Sequence, residues 1–166
     1  MNFKLRPFVI EDLPSLVKHA NNPKIAGNLT NRFAHPYTEE NGRMFIEFAN
    51  AEKPTNLFAI EVNGEAAGGI GLHTQPDIFC KNMGMGYWLG ETHWGKGIVT
   101  AAINQMVKYG FETWDITRIF ARPFGNNIAS QHVLEKAGFT LEAKFEKTLF
   151  KNGKVEDEWI YGIRKS

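Results

Sequence analysis

Apolar and polar positions in this chain recur with two periods, and the switches between them mark the elements. Phe3-Lys4-Leu5-Arg6 alternates as a short strand does, and Pro7 ends it. Leu13, Leu16 and Val17 then recur at helical spacing behind Glu11 or Asp12 as cap, and Asn21-Asn22-Pro23 stops that helix. Residues 24–36 show no clear period and read as loop with room for one helical turn. Thr38, followed by Glu39, Glu40 and Asn41, predicts a second helix to about Ala51, with Met44, Phe45 and Phe48 as its buried stripe.

From Leu57 the period changes to two. Residues 57–62 and 65–72 flank Asn63-Gly64, the preferred pair for a type I′ hairpin because both central residues need positive φ. Gly68, Gly69 and Gly71 weaken the second strand on propensity and predict a bulge or a close backbone approach. Asn82 to Leu89 reads as a third, antiparallel strand, which Gly84 and Gly86 make irregular. Ile98, Ala101, Ala102, Met106, Val107, Tyr109 and Phe111 mark a helix ending near Thr113, and residues 117–122 a strand stopped by Pro123. Asn126 or Asn127 caps a last helix that closes with Gly138 at C′, and strands near 140–150 and 156–163 meet at the turn 151–154. The order predicts one α+β domain over residues 1–166, with a mostly antiparallel sheet and one parallel crossover.

Composition changes this picture little. The chain has 166 residues, enough for one real core, with 43% hydrophobic and 22% charged residues. A net charge of +1 argues against a nucleic-acid-coating or polybasic membrane-binding protein. Cys80 has no second cysteine to pair with, and no apolar run is long enough to span a bilayer, so a cytoplasmic protein is expected. No cluster has metal-ligand spacing.

The chemistry lies after Leu89, where a strand gives way to a short polar loop and Gly95 and Gly97 lead into a helix. Unpaired N–H groups and the helix dipole at such a terminus favour an anion, usually a phosphate. A P-loop needs Ser or Thr after its Gly-Lys pair, but Gly97 follows Lys96. A dinucleotide fingerprint needs a glycine where Thr100 stands, and the upstream hairpins argue against a doubly wound sheet.

Trp94-x-x-Gly97-x-Val99 resembles the pyrophosphate loop of the GNAT acetyltransferases, Gln/Arg-x-x-Gly-x-Gly/Ala, with Trp94 and Val99 as departures. Trp-Gly-Lys-Gly followed by an aliphatic residue is similar to the ribosomal-protein N-terminal acetyltransferase (RimJ/RimL-type) branch. Asn127-x-x-Ser130-x-x-Val133-Leu134-Glu135-Lys136-x-Gly138-Phe139 resembles that branch's second signature at every position. Leu5-Arg6-Pro7, His35-Pro36-Tyr37-Thr38, and Asn152-Gly153 followed by Asp157 and Tyr161 resemble further landmarks, so the likeness spans nearly the whole chain.

The resemblance implies an α/β/α fold of about seven strands and about four helices, splayed at a central parallel pair. It implies acetyl-CoA as acetyl donor, with no metal. Trp88 and Leu89 would offer backbone groups to the pantetheine. Gly95, Lys96, Gly97, Ile98 and Val99, with the Thr100 hydroxyl and the Trp94 position, would hold the pyrophosphate. Asn127 and Ser130 would face the pantetheine arm and thioester. Ser130 would protonate the departing thiolate, because Leu134 stands where many members carry a tyrosine; the plain alternative is a capping serine. Leu89 N–H would be the oxyanion donor. The penultimate-strand glutamate that serves some members as base falls at Leu149, leaving Glu91, His73, Glu146, Asp157 or an ordered water. Deprotonating an α-amine of pKa about 7.8 at neutral pH costs only about 1 kcal/mol, against about 4.6 for a lysine, so a weak base can serve. The expected acceptor is a protein N-terminus or a small amine such as a polyamine, amino acid or drug. A non-catalytic acyl-CoA-binding module, and a monomer or a homodimer, both remain open.

Overall fold

In the computed structural model, which describes residues 2–166, seven strands form one mixed sheet. They are β1 (Phe3–Arg6), β2 (Leu57–Val62), β3 (Glu65–Thr74), β4 (Asn82–Leu89), β5 (Arg118–Ala121), β6 (Thr140–Lys151) and β7 (Lys154–Arg164). Five α-helices accompany them among the described residues: α1 (Leu13–Ala20), α2 (Pro23–Ala26), α3 (Glu39–Ala49), α4 (Ile98–Thr113) and α5 (Ile128–Lys136). The strand order is β1-β2-β3-β4-β5-β7-β6. The parallel β4–β5 ladder runs only from Asn82↔Arg118 to Gly84↔Phe120, so β4 continues five residues past its last pair on that side. β1–β2, β2–β3, β5–β7 and β6–β7 are antiparallel. The helix beyond the expected four is α2, the single turn allowed for in the Lys24–Pro36 stretch.

Both hairpin turns form as their Asn-Gly pairs demand, with positive φ at Asn63, Gly64, Asn152 and Gly153. The expected irregularity of the glycine-rich strand is also present. Ile60 pairs with Gly68 and Glu61 with Ala66, so Ala67 is the extra, bulged residue of β3.

Two local expectations are corrected. Asp12 precedes α1 but makes no side-chain cap there. Its carboxylate instead accepts two hydrogen bonds from the Arg6 guanidinium, at 2.8 and 2.7 Å, and one from Val9 N–H at 2.9 Å. The helix behind Thr38 does form, capped as expected, but Met44 and Phe48 are exposed and Gly42, Ile46 and Ala49 are buried. The reason is close packing of helices. A Cβ on Gly42 would stand 2.6 Å from Leu13 Cδ1, so α3 turns its small residues toward α1.

Contacts divide the chain into two compact units, Met1–Gly71 with Tyr87–Ala102, and Leu72–Gly86 with Ile103–Ser166. The first has a core of Phe8, Leu16, Tyr37, Ile46, Leu57 and Trp88, against which Phe33 and Phe45 pack. Each large apolar side chain buried there contributes about 1.5–3 kcal/mol. In the second, Met83, Ile103, Met106, Ile119, Leu134 and Tyr161 are nearly inaccessible. Trp114 packs edge-on against Tyr109, and Trp159 lies under the Lys144 ammonium, which makes both tryptophans packing residues as expected. No described helix is long and apolar enough to cross a membrane.

The Leu5-Arg6-Pro7 landmark is structural. Arg6 also donates to Glu61 Oε1 at 2.7 Å, which ties β1, β2 and the turn before α1 together. Burial alone would raise the Asp12 carboxyl, but the Arg6 and Val9 hydrogen bonds and the Arg6 charge outweigh it and hold it below the ordinary range. A lowered folded-state pKa contributes stability that is present above the unfolded value of about 3.9 and lost as pH falls through the folded one. Arg6→Met leaves the Asp12 charge buried and unpaired and should cost about 3 kcal/mol near neutral pH. The deficit should shrink in acid as Asp12 protonates. Urea titrations at neutral pH and below about pH 4 check this; a variant as stable as the parent at neutral pH would refute it.

Candidate active site

The last turn of β4 and the loop after it belong to the first unit. Gly90 N–H donates to the carbonyl of the bulged Ala67 at 2.7 Å, so Gly90 faces β3. Strand alternation then turns the Leu89 peptide groups to the opposite edge and those of Trp88 toward β3. The position of the Trp88 carbonyl agrees, since a Cβ on Gly68 would stand 2.4 Å from it. Of the two residues expected to offer backbone groups, Leu89 is therefore the one facing away from β3. The Trp88 side chain is buried, with its ring edge-on to Phe33 and its indole nitrogen without a hydrogen-bond partner.

Glu91–His93 forms a short 3-10 turn, and Trp94 Nε1 reaches back to the Leu89 carbonyl at 2.7 Å. This bond closes the loop on itself. The indole N–H is spent on the protein rather than offered outward. Gly95 and Gly97 have φ of +73° and +77°, a backbone that side-chain-bearing residues adopt only with strain. A Cβ on Gly95 would meet no described atom within 4 Å, so the glycine leaves open space above the loop.

Ala101 N–H donates to Gly97 O at 3.2 Å. The N–H groups of Ile98, Val99 and Thr100 precede that bond and have no carbonyl one turn back in the helix. Ile98 is 1% exposed, so its side chain anchors α4 in the core and only its N–H is on offer. Gly95, Lys96 and Gly97 are exposed. These main-chain donors gather at the start of a 16-residue helix, a geometry that suits an anion.

In the second unit Asn127, not Asn126, caps α5, its side-chain oxygen accepting from Ser130 N–H at 3.2 Å. Asn126 donates instead to Glu156. Asn127 thus holds the first turn that carries Ser130, and the cap is not Ser130 itself. Buried Gln131 secures the turn by donating to the Phe124 and Gly125 carbonyls at 3.1 and 3.0 Å. Leu134 is fully buried, so the position where many GNAT acetyltransferases carry a tyrosine is a core position here. Tyr161, buried on β7, donates its hydroxyl to Glu135 at 3.1 Å. Burial, together with its bond to Glu135, pushes the Tyr161 hydroxyl up to about 12.

The candidate bases are largely committed to the fold. Glu91 accepts from Lys24 Nζ at 2.7 Å and Asn22 Nδ2 at 2.9 Å, and these two partners hold it below the ordinary carboxylate range. Asp157 accepts from Lys147 N–H at 2.8 Å, which steadies the positive φ of Lys147 in β6. Glu146 is exposed on β6, and His73 is half-buried near the end of β3.

Three groups escaped sequence reasoning. Glu158, 8% exposed, grips Arg122 through both oxygens at 2.7 and 3.1 Å. Gln131 looked like one more polar residue of an amphipathic helix. His19, Glu65 and His93 lie far apart in the chain and meet in the first unit. A residue pattern read along the chain carries no signal for such pairings.

The first unit thus carries a strand end followed by a loop of main-chain donors, and the second a helix capped by Asn127. A family model, the acetyltransferase (GNAT) domain, matches residues 2–140, and the chain belongs to that family. Among relatives, YdaF of Bacillus subtilis (strain 168), provisionally named a ribosomal N-acetyltransferase, is 33% identical over 103 residues, covering 62% of this chain and 56% of its own length. Two further Bacillus subtilis proteins are matched over 44% and 56% of their lengths, so the chain spans about half of these relatives. The spermidine N(1)-acetyltransferase of Escherichia coli (strain K12) is 24% identical, over 93% of this chain and 81% of that one. Among solved structures, the microcin C7 self-immunity acetyltransferase MccE, in complex with acetyl-CoA and AMP, superposes with a TM-score of 0.84 at 26% identity, over 98% of this chain and 92% of that one.

Proposed function

We propose that this chain transfers an acetyl group from acetyl-CoA to a primary amine by direct attack, and that the preferred acceptor is a protein N-terminal α-amine. The observation that carries the donor assignment is the cradle at Gly95–Thr100, with its positive-φ glycines and the open space above Gly95. The acetyl-CoA complex of MccE supports it. Main-chain N–H groups from Gly95 to Thr100 take the pyrophosphate. Leu89 N–H, facing away from β3, donates to the thioester oxygen as charge develops on it. Ser130 Oγ gives a proton to the sulfur as the C–S bond breaks. The amine nitrogen loses one proton to water, a step that costs little for an α-amine, and attacks the carbonyl carbon; the second proton it sheds as the amide forms returns through water to Ser130 Oγ.

The α-amine acceptor draws support from YdaF's name and from the engagement of Glu91 by Lys24 and Asn22, which holds it below the ordinary carboxylate range. A small polyamine is the second reading, favoured by the long match to the spermidine enzyme. A thiol-release assay over α-amino peptides, Nα-blocked lysyl peptides and spermidine separates them. Fastest CoA release with α-amino peptides is expected. Release with spermidine alone would move the assignment to polyamines, and release with no amine would reduce the chain to a binding module.

Trp94→Phe keeps the ring and deletes the donor to Leu89. Losing about 1 kcal/mol of loop order should raise the KM for acetyl-CoA about fivefold with kcat nearly unchanged. An unchanged KM would mean that this bond does not shape the cradle.

A further inference from the structure

We propose that His19, Glu65 and His93 form a binding site for a divalent transition-metal ion of the zinc class, set beside the loop that leads to the anion cradle. The three residues come from α1, β3 and the 3-10 turn after β4, and one ligand atom from each lies within 4.8 Å of the others. His19 Nε2 and Glu65 Oε1 are already 2.8 Å apart, and the His19 and His93 ring centres are 5.6 Å apart. Tetrahedral zinc with bond lengths near 2.1 Å needs ligand atoms about 3.4 Å from one another. Closing the widest gap requires turning His93, which is only partly buried and stands on a short turn.

The site is built rather than casual. His19 is 7% exposed and packs its Nδ1 face against Gly90, where a Cβ would stand 2.5 Å from that nitrogen. Only glycine at position 90 allows this seat, and it leaves Nε2 as the nitrogen that faces Glu65. Two imidazoles and one carboxylate are the donor set of an open zinc site, with a fourth position for water.

The cationic neighbours oppose the ion. Lys18 Nζ lies 3.2 Å from Glu65 Oε1, and Lys96 acts on His93 from the glycine loop. Metal entry replaces the His19–Glu65 hydrogen bond and the Lys18 contact with bonds to the ion.

The test uses the full chain stripped with a chelator. Zinc is titrated against a chromophoric competitor, and cobalt is titrated while its visible absorption reports tetrahedral geometry. One equivalent of each ion, with tetrahedral cobalt bands, is expected. Second-layer changes alone cost metal sites 10–100-fold, so His93→Ala and Glu65→Gln should each weaken zinc by more than about 100-fold. Both changes are partly exposed, and circular dichroism verifies their fold. Absence of stoichiometric uptake overturns the proposal. So does undiminished binding in both variants, which would assign the metal to His35, His73 or His132.

Discussion

Ser130→Ala is expected to lower kcat by about 10²–10³-fold while changing acetyl-CoA affinity less than about threefold, the signature of a lost proton donor rather than a lost contact. The substitution isolates the hydroxyl. The cap of α5 is the Asn127 side chain bonded to the Ser130 backbone N–H, and alanine keeps that N–H. Circular dichroism verifies that the variant keeps its fold. Asn127→Ala supplies the contrast, since it removes the cap and should cost about 1 kcal/mol of stability. Single-turnover rates and calorimetric titration with acetyl-CoA separate the two effects. A Ser130→Ala enzyme with unchanged kcat would remove Ser130 from the chemistry.

The second large effect comes from a residue with no reactive group. Gly68→Ala would place a Cβ 2.4 Å from the Trp88 carbonyl and 3.0 Å from Leu89 Cα, both main-chain atoms that cannot rotate away. β3 or the end of β4 must then move. Overpacking of this kind costs about 1–3 kcal/mol. A displacement approaching 1 Å at an oxyanion donor costs about 100-fold in rate. Stability and kcat/KM should fall together in this variant. Gly86→Ala, on the same β4 strand but with nothing within 4 Å of the new methyl, should change neither appreciably. Equal behaviour of the two variants would mean that the glycine at position 68 is not there for the approach of Leu89.

How much of this could be read along the chain follows from the range of the interactions involved. The Asn63-Gly64 and Asn152-Gly153 turns were legible because their geometry is decided by the two residues that form them. The glycine loop was legible for the same reason, its positive φ values at Gly95 and Gly97 being demanded within one turn of chain. The buried face of α3 was not. A helical period fits Met44 and Phe48 as well as Ile46 and Ala49, and the choice was made by Leu13 of α1, which admits only a glycine opposite it. Bulkier apolar side chains were the better guess by hydrophobicity and the worse one by shape.

The same distinction runs through the site. Ser130 and Asn127 are three residues apart, and their relation is a helix cap that the spacing announces. Trp94 stands where the family motif has Gln or Arg, and its indole N–H bonds to Leu89, five residues back. Asp12 looked like a cap and is the buried partner of a partly exposed Arg6. Glu91 looked like an available carboxylate and is held by α2 and the residue before it. In each case the side-chain type was suited to the expected role, and a partner elsewhere in the fold had already engaged it.

The assignment of the donor rests on the main chain from Gly95 to Thr100, and calorimetric titration of acetyl-CoA into the parent and Gly95→Ala proteins tests it most directly. The methyl touches no described atom and costs about 1–2 kcal/mol through φ alone. The parent should bind one equivalent, and a folded Gly95→Ala protein should bind more than about tenfold more weakly, because the methyl and the strained loop both oppose the pyrophosphate. A folded variant that binds acetyl-CoA as tightly as the parent would contradict the account.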